Sequence, residues 1–400
     1  MIKKELLPKR YYISLVCKAF EAVTTFGISI FVSRGLGPSL KGEYTYIVEI
    51  VNILYVFVGM GLGQLYATYR KSKGKAVQST FIDLVFFHGL FALFLGLIVF
   101  PFTDSTQWLV ITTLTAISCI WSNLSMIAVI ENSVLRNLII TAVYVFEGVV
   151  LVALFLLNRI TLKSSLLLYA VTQILAVILF FVKYEFRFSV LRLKIKDVCE
   201  LYKGAFTTML VVLLISINYK IDIVMMRNLS SSYHTGIYSV AGTLSNAFLL
   251  IPDSFKEVLF GDSAKGEFRV VTKKSIVASM GISVSLFVVF LLVGRFAIAL
   301  LYGADYSEAF LLTIVLWMAG LPLTLFKVLQ PIYITMGKQK IAALFLLIAA
   351  LANIVANGIL IPKKGSFGAA IATTFSYSVC GFLFLIYYEK RISPEIDEYD

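Results

Sequence analysis

The chain has 400 residues, of which 59% are hydrophobic and 14% charged, and a mean hydropathy of +0.90. A water-soluble domain is roughly 45–50% apolar and about 25% charged, so this composition excludes a soluble fold and points to an all-α integral membrane protein. The 35 Lys and Arg against 23 Asp and Glu leave a net charge of +12, whose placement beside apolar segments marks membrane topology and not a nucleic-acid footprint.

Twelve apolar segments approach the roughly 20 residues that a membrane span requires. They fall near 12–33, 43–65, 80–100, 107–130, 137–157, 165–184, 205–226, 236–260, 276–301, 309–330, 341–361 and 366–388. The first is basic at its start and long, with no small-residue cleavage site, and reads as a retained helix. With the N-terminus inside, 24 of the 35 Lys and Arg fall in inner links, which predicts N-in/C-in orientation. The inner links 183–203 and 256–274 are basic and suit anionic lipid headgroups.

A charge at the centre of a bilayer costs about 2.5–3.5 kcal/mol on insertion scales, so each ionisable residue within a segment is a candidate for a site. Segment one carries Ser14, Lys18, Glu21 and Thr25, spaced to share one helix face. This face either lines a cavity, with Lys18 open to a substrate phosphate, or holds a neutralising Lys18–Glu21 pair. Lys18 is also close enough to the segment's start to snorkel. Segment two carries Thr45, Glu49 and Asn52 on one face, and Glu49 either pairs across helices or titrates. Its Gly59, Gly61 and Gly63 permit close packing or a bend. His88 in segment three reads as a packed or hydrogen-bonded residue before a proton relay, and Glu147 in segment five is a further cavity candidate.

Segment seven carries Asn218, Lys220 and Asp222. Asn218 and Asp222 share a face from which Lys220 points away, which argues against a local Lys–Asp bridge. Asp222 therefore reads either as an ion-coupling acid or as a hydrogen-bond partner for another helix. Arg295 and Lys327 lie near segment ends, where snorkelling competes with function. Asn353 and Asn357 have the spacing to hydrogen-bond across helices. Pro252, Pro322 and Pro331 are positioned to kink their helices.

The link after segment one runs Arg34-Gly35-Leu36-Gly37-Pro38-Ser39-Leu40-Lys41-Gly42-Glu43-Tyr44. The link after segment seven runs Arg227-Asn228-Leu229, a polar stretch, then Gly236-Ile237-Tyr238. Both read Arg-x-Leu and then Gly-x-Tyr, with one residue of slippage. A duplicated membrane half is a mark of transporters built from parallel repeats. The predicted division is a lobe over 1–190, a linker over 191–204 and a second lobe over 205–400.

These links, together with Asn218 to Ile223, Met336 to Lys340, Asn353 to Asn357 and Ile361 to Thr373, resemble the polysaccharide-flippase branch of the multidrug/oligosaccharidyl-lipid/polysaccharide (MOP) exporter superfamily. The resemblance spans nearly the whole chain. It implies two six-helix lobes forming a V around a central cavity, in the bacterial cytoplasmic membrane. It also implies transport of a polyprenyl-pyrophosphate-linked glycan, with membrane lipids and other polysaccharide-assembly proteins as partners. In a cationic groove of this kind Lys18, Lys220, Lys327 and Arg34 would meet the phosphates. Glu21, Glu49, Asp222, Asn218 and Glu147 would line the cavity or couple a proton or sodium gradient. No Gly-x-x-x-x-Gly-Lys-Ser/Thr loop for ATP is present, and no Cys/His spacing marks a metal or cofactor site. The outer links are too short and too poor in catalytic groups for a glycan polymerase or ligase, so the chain reads as no enzyme. An exporter of drugs or organic cations from the same superfamily would present a mainly acidic and aromatic cavity.

Overall fold

The computed structural model describes residues 9–103, 105–189, 195–246 and 269–394. Pro252 and most of the basic 256–274 link lie outside them. The described chain is helical: α1 Lys9–Gly59, α2 Leu62–Lys73, α3 Gln78–Thr103, α4 Thr106–Leu156, α5 Leu162–Tyr184 and α6 Ile195–Leu229. There follow α7 over 232–246, α8 Arg269–Leu301, α9 Ala309–Thr335 and α10 Gln339–Tyr387. Residues 195–204, expected as linker, are the first turns of α6.

Seven described stretches are long and apolar enough to cross a membrane. A straight helix of 51 residues, the length of α1 and of α4, would extend about 76 Å, more than twice the roughly 30 Å hydrocarbon core. The chain breaks these helices instead. α1 kinks at Gly37 (φ 70°, ψ 170°), α4 at Asn132 (φ −159°, ψ 96°) and α10 at Gly365 (φ 54°, ψ −133°). Glycine takes the two positive-φ positions without a Cβ penalty, and Pro38 directly after Gly37 disfavours helix at that residue. The prolines of segment ten behave otherwise, because α9 runs unbroken through Pro322 and Pro331.

Contact grouping separates 1–35 with 47–216 from 36–46 with 217–400. This differs from the predicted division in two ways. The boundary falls inside α6, after Ser216, and the turn of α1 around the Gly42 link belongs to the second unit.

In the first unit α3, α4 and α5 pack in sequence, with α2 against α4. Tyr66, Phe81, Ile82, Leu124, Ile127 and Phe180 form its core, which also receives Leu201 and Ala205 from the start of α6. The Gly59–Gly63 stretch both bends and packs closely. Met60 and Gly61 adopt φ of 52° and 66° and end α1, while Gly63 donates its backbone N–H to Asn123 Oδ1 at 2.8 Å. The break leaves the Val58 carbonyl outside the helical ladder, and His88 Nδ1 meets it at 2.6 Å. His88 Nε2 lies 2.6 Å from the Tyr202 hydroxyl, so both ring nitrogens serve the corner between α1, α3 and α6. In the second unit α9 packs against α8 and α10, around Trp317, Tyr333 and Phe384.

Outward faces are apolar. Phe102 is 86% and Leu292 82% exposed, a disposition suited to lipid and not to water.

Candidate functional site

Three helices of the first unit line a half-open cavity of about 270 Å³. The second leg of α1 contributes Val48, Asn52 and Tyr55, one face at steps of four and three. The second leg of α4 contributes Ile140, Val143, Tyr144 and Glu147, again one face, and its first leg adds Trp121. Tyr169, Thr172 and Gln173 of α5 complete the wall.

The polar groups of the wall are set by the structure around them. Ser118 donates to Gln173 Oε1 at 2.8 Å, and the Ser118 and Gln173 side chains are both in hydrogen-bonding contact with the Tyr169 hydroxyl. Thr172 donates to the Tyr169 carbonyl at 3.0 Å and stands beside the Glu147 carboxyl. Glu147 is 6% exposed, and among the described residues no lysine or arginine pairs with it. The result is a small chamber of planar rings, amides and hydroxyls around one carboxyl, with no lining cation.

Two more of the predicted carboxyls lie near this wall without lining it. Tyr144 is within electrostatic reach of Glu21 as well as Glu147, and Tyr169 within reach of Glu49. Glu49 accepts a hydrogen bond from Asn52 at 2.9 Å. The first leg of α1 meets α4 where Thr141 donates to the Cys17 carbonyl at 3.4 Å and Thr24 approaches Gly148. Lys18 is exposed one turn from Glu21, and Arg34 is exposed before the Gly37 kink. Arg136, two turns below Tyr144 on α4, is turned to Ser125 Oγ at 3.0 Å and Asn137 Oδ1 at 3.1 Å.

Of the predicted residues of the second unit, Asp222 anchors a cluster and the others lie apart from it. Asp222 is buried, and its Oδ1 accepts from the Ile223 N–H at 2.8 Å. Its Oδ2 accepts from the Tyr238 hydroxyl at 2.5 Å and from Thr373 at 3.2 Å. One carboxylate thereby joins α6, α7 and the second leg of α10. Asn218 donates to the Leu346 carbonyl at 3.0 Å, while Lys220 is half-buried on another face. Lys327 is buried at 8% exposure in α9, in contrast to the snorkelling alternative, and Arg295 is exposed. Asn357 donates to Asn353 Oδ1 at 2.8 Å within α10 itself; this bond runs along the helix where one between helices was expected.

The two similar links meet inside the second unit. A Cβ on Gly42 would stand 1.8 Å from the Ser232 carbonyl oxygen, and one on Gly236 would stand 1.9 Å from that of Pro38. The contact is reciprocal between equivalent positions of the repeat, and only glycine permits it. Beside it Arg227 Nε pairs with Glu43 Oε1 at 2.6 Å, Ser232 donates to the same oxygen at 2.5 Å, and the Arg227 guanidinium lies 5.7 Å from the Tyr46 ring.

No family model matches the chain. A structure described as an inward-facing multidrug resistance MATE family transporter of the MOP superfamily aligns with a TM-score of 0.72 at 11% identity. That alignment covers 96% of this chain and 99% of the other. The chain has the fold of MOP-superfamily transporters. The lipid II flippase MurJ in an inward closed conformation aligns with a TM-score of 0.69 at 13% identity, over 95% of this chain and 88% of MurJ. Both neighbours are described by transport, one as a transporter and the other as a flippase. By sequence the chain is 27% identical over 186 residues to the capsular polysaccharide biosynthesis protein CapF of Staphylococcus aureus. That match spans 44% of this chain and 46% of CapF, so the chain matches about half the length of this curated relative.

Sequence reasoning placed Glu21, Glu49 and Glu147 as separate candidates and passed over Tyr55, Trp121, Tyr144, Tyr169, Thr172 and Gln173. Except for Trp121 in segment four, their signal was present as i, i+3, i+4 and i+7 faces in segments two, five and six. Abundant tyrosine, also expected at membrane interfaces, hid it. Tyr238 and Thr373 stood inside the recognised motifs, but their bond to Asp222 joins residues far apart in the chain.

Proposed function

We propose that the protein is a secondary transporter that flips a polyprenyl-pyrophosphate-linked oligosaccharide from the inner to the outer leaflet of the bacterial cytoplasmic membrane, for surface polysaccharide assembly. The observation carrying this reading is the first-unit cavity, whose rings, amides and hydroxyls suit a glycan. The likeness to CapF and to MurJ supports it. Each leg of α1, α4 and α10 counts as one span in this reading, and with α3 and α5 to α9 the total is twelve, N-in/C-in. Lys18, Lys220, Lys327 and Arg34 serve the pyrophosphate in this scheme. Glu21, Glu49, Asp222 or Glu147 exchanges a proton or sodium ion.

The test is flipping in proteoliposomes of a polyprenyl-pyrophosphate oligosaccharide carrying a labelled sugar, read as accessibility of the label from outside. Protein-dependent flipping, lost in a Lys18→Ala/Lys220→Ala double variant, is the expected result; its absence for every lipid-linked glycan tried would sink the reading.

A second reading, export of an organic cation, is favoured by one specific feature. A carboxyl among aromatic rings without a lining Lys or Arg is also how proteins hold organic cations. Efflux of tetraphenylphosphonium without glycan flipping in the same vesicles would select it.

A further inference from the structure

Given the glycan reading above, on which it rests, we infer that the α1–α4–α5 cavity is a subsite for one uncharged sugar ring, a hexose or N-acetylhexosamine, and excludes uronic acids and phosphate. Size sets the first limit. At about 270 Å³ the half-open chamber lies just below the roughly 300–1,000 Å³ of drug-sized sites, a size that suits a single ring. The lining sets the second. Trp121 and Tyr169 supply lining rings of the kind that stack on a pyranose, and the Asn52 amide and the Glu147 carboxyl supply hydrogen-bonding groups for its hydroxyls.

Charge sets the third limit. Burying an ionised group is costly unless an opposite charge pairs with it, and no lining residue is cationic. Arg136 is turned to Ser125 and Asn137, and Lys18 is exposed outside the wall. A uronate would enter beside Glu147. It would be buried beside the Glu147 carboxyl with no lining cation to compensate it. The pyrophosphate must therefore be held elsewhere, and this chamber selects the glycan by the charge of one residue.

The experiment uses the full chain in nanodiscs, titrated at neutral pH with methyl glucoside, methyl N-acetylglucosaminide, methyl glucuronide and tetraphenylphosphonium. The readout is the saturable change in tryptophan fluorescence that Trp121→Phe abolishes. The neutral glycosides are expected to bind about tenfold tighter than the glucuronide or better. Glu147→Gln, which keeps the shape and removes the carboxyl's negative charge, should narrow that ratio by admitting the glucuronide. Equal binding of the glucuronide to the native chain overturns the inference. A Trp121 signal saturated only by tetraphenylphosphonium, or no saturable glycoside signal, also overturns it. Flipping of a lipid-linked glycan by the same preparation separates the two failures. Flipping without Trp121-dependent glycoside binding removes this subsite and leaves the transport reading standing, whereas no flipping removes that reading as well.

Discussion

Asp222 shows how one buried carboxylate can serve structure wherever coupling resides. It accepts from the Ile223 N–H, the Tyr238 hydroxyl and Thr373, so three elements lose a common acceptor if it is removed. Interhelical hydrogen bonds within membranes average about 0.6 kcal/mol, with a maximum near 1.7, and a buried group left unpaired costs about 1–3 kcal/mol. Asp222→Ala is therefore expected to lower stability by about 1–3 kcal/mol in reversible unfolding, and Tyr238→Phe by less, since Thr373 remains bonded to the carboxylate. Unchanged stability in Asp222→Ala would mean the cluster is not holding α6, α7 and α10 together. Asp222→Asn separates the roles, because its oxygen can still accept from the Ile223 N–H, its NH2 can donate to the Tyr238 and Thr373 hydroxyl oxygens, and it cannot carry the charge. If Asp222 couples an ion, Asp222→Asn loses pH- or sodium-dependent transport while unfolding nearly as the native chain does.

At the scale of elements, the crossing at Gly42 and Gly236 is the contact most sensitive to one added carbon. Backbone carbonyls stand 1.8 and 1.9 Å from the Cβ positions, and backbone can yield only if the helices separate. Overpacking of this kind costs about 1–3 kcal/mol or more. Gly42→Ala and Gly236→Ala should both show that loss in thermal unfolding. Gly242→Ala on the same α7 helix is the internal control. Nothing lies within 4 Å of its Cβ position, so substitution should be neutral or stabilising by about 0.5–1 kcal/mol through helix propensity. Equal effects at the three positions would contradict the close crossing. The adjacent Arg227–Glu43 pair is 34% and 21% exposed, so a double-mutant cycle on it should return a coupling of no more than about 1 kcal/mol. A much larger coupling would mean that water screens the pair less than its exposure implies.

At the scale of the whole molecule the proposed orientation makes a labelling prediction. Lys71 and Lys163 are both exposed and belong to links assigned to opposite sides. In a Cys199→Ser background, where Cys17, Cys119 and Cys380 are buried, Lys163→Cys should react with an impermeant maleimide in intact cells. Lys71→Cys should react only after permeabilisation, and the reverse pattern would invert the topology. The distribution of basic residues carries this prediction, since an apolar segment crosses equally well in either direction and its flanking charges bias the choice.

Composition and hydropathy by themselves determined that this chain is helical and lives in lipid, because no arrangement of a 59% hydrophobic sequence hides its apolar side chains from water and only helices satisfy their own backbone within one segment. The repeated Arg-x-Leu and Gly-x-Tyr links were legible for the same reason: they are local strings. Tertiary structure alone decided what those strings do. Gly42 and Gly236 became a reciprocal contact only when 36–46 packed with the second unit. The faces of α1, α4 and α5 became a cavity only when the helices converged on Glu147. Helical periodicity tells which residues share a face, but it holds no information about which face of another helix lies opposite. That choice is made by packing between residues more than a hundred positions apart, as Asp222 and Thr373 are.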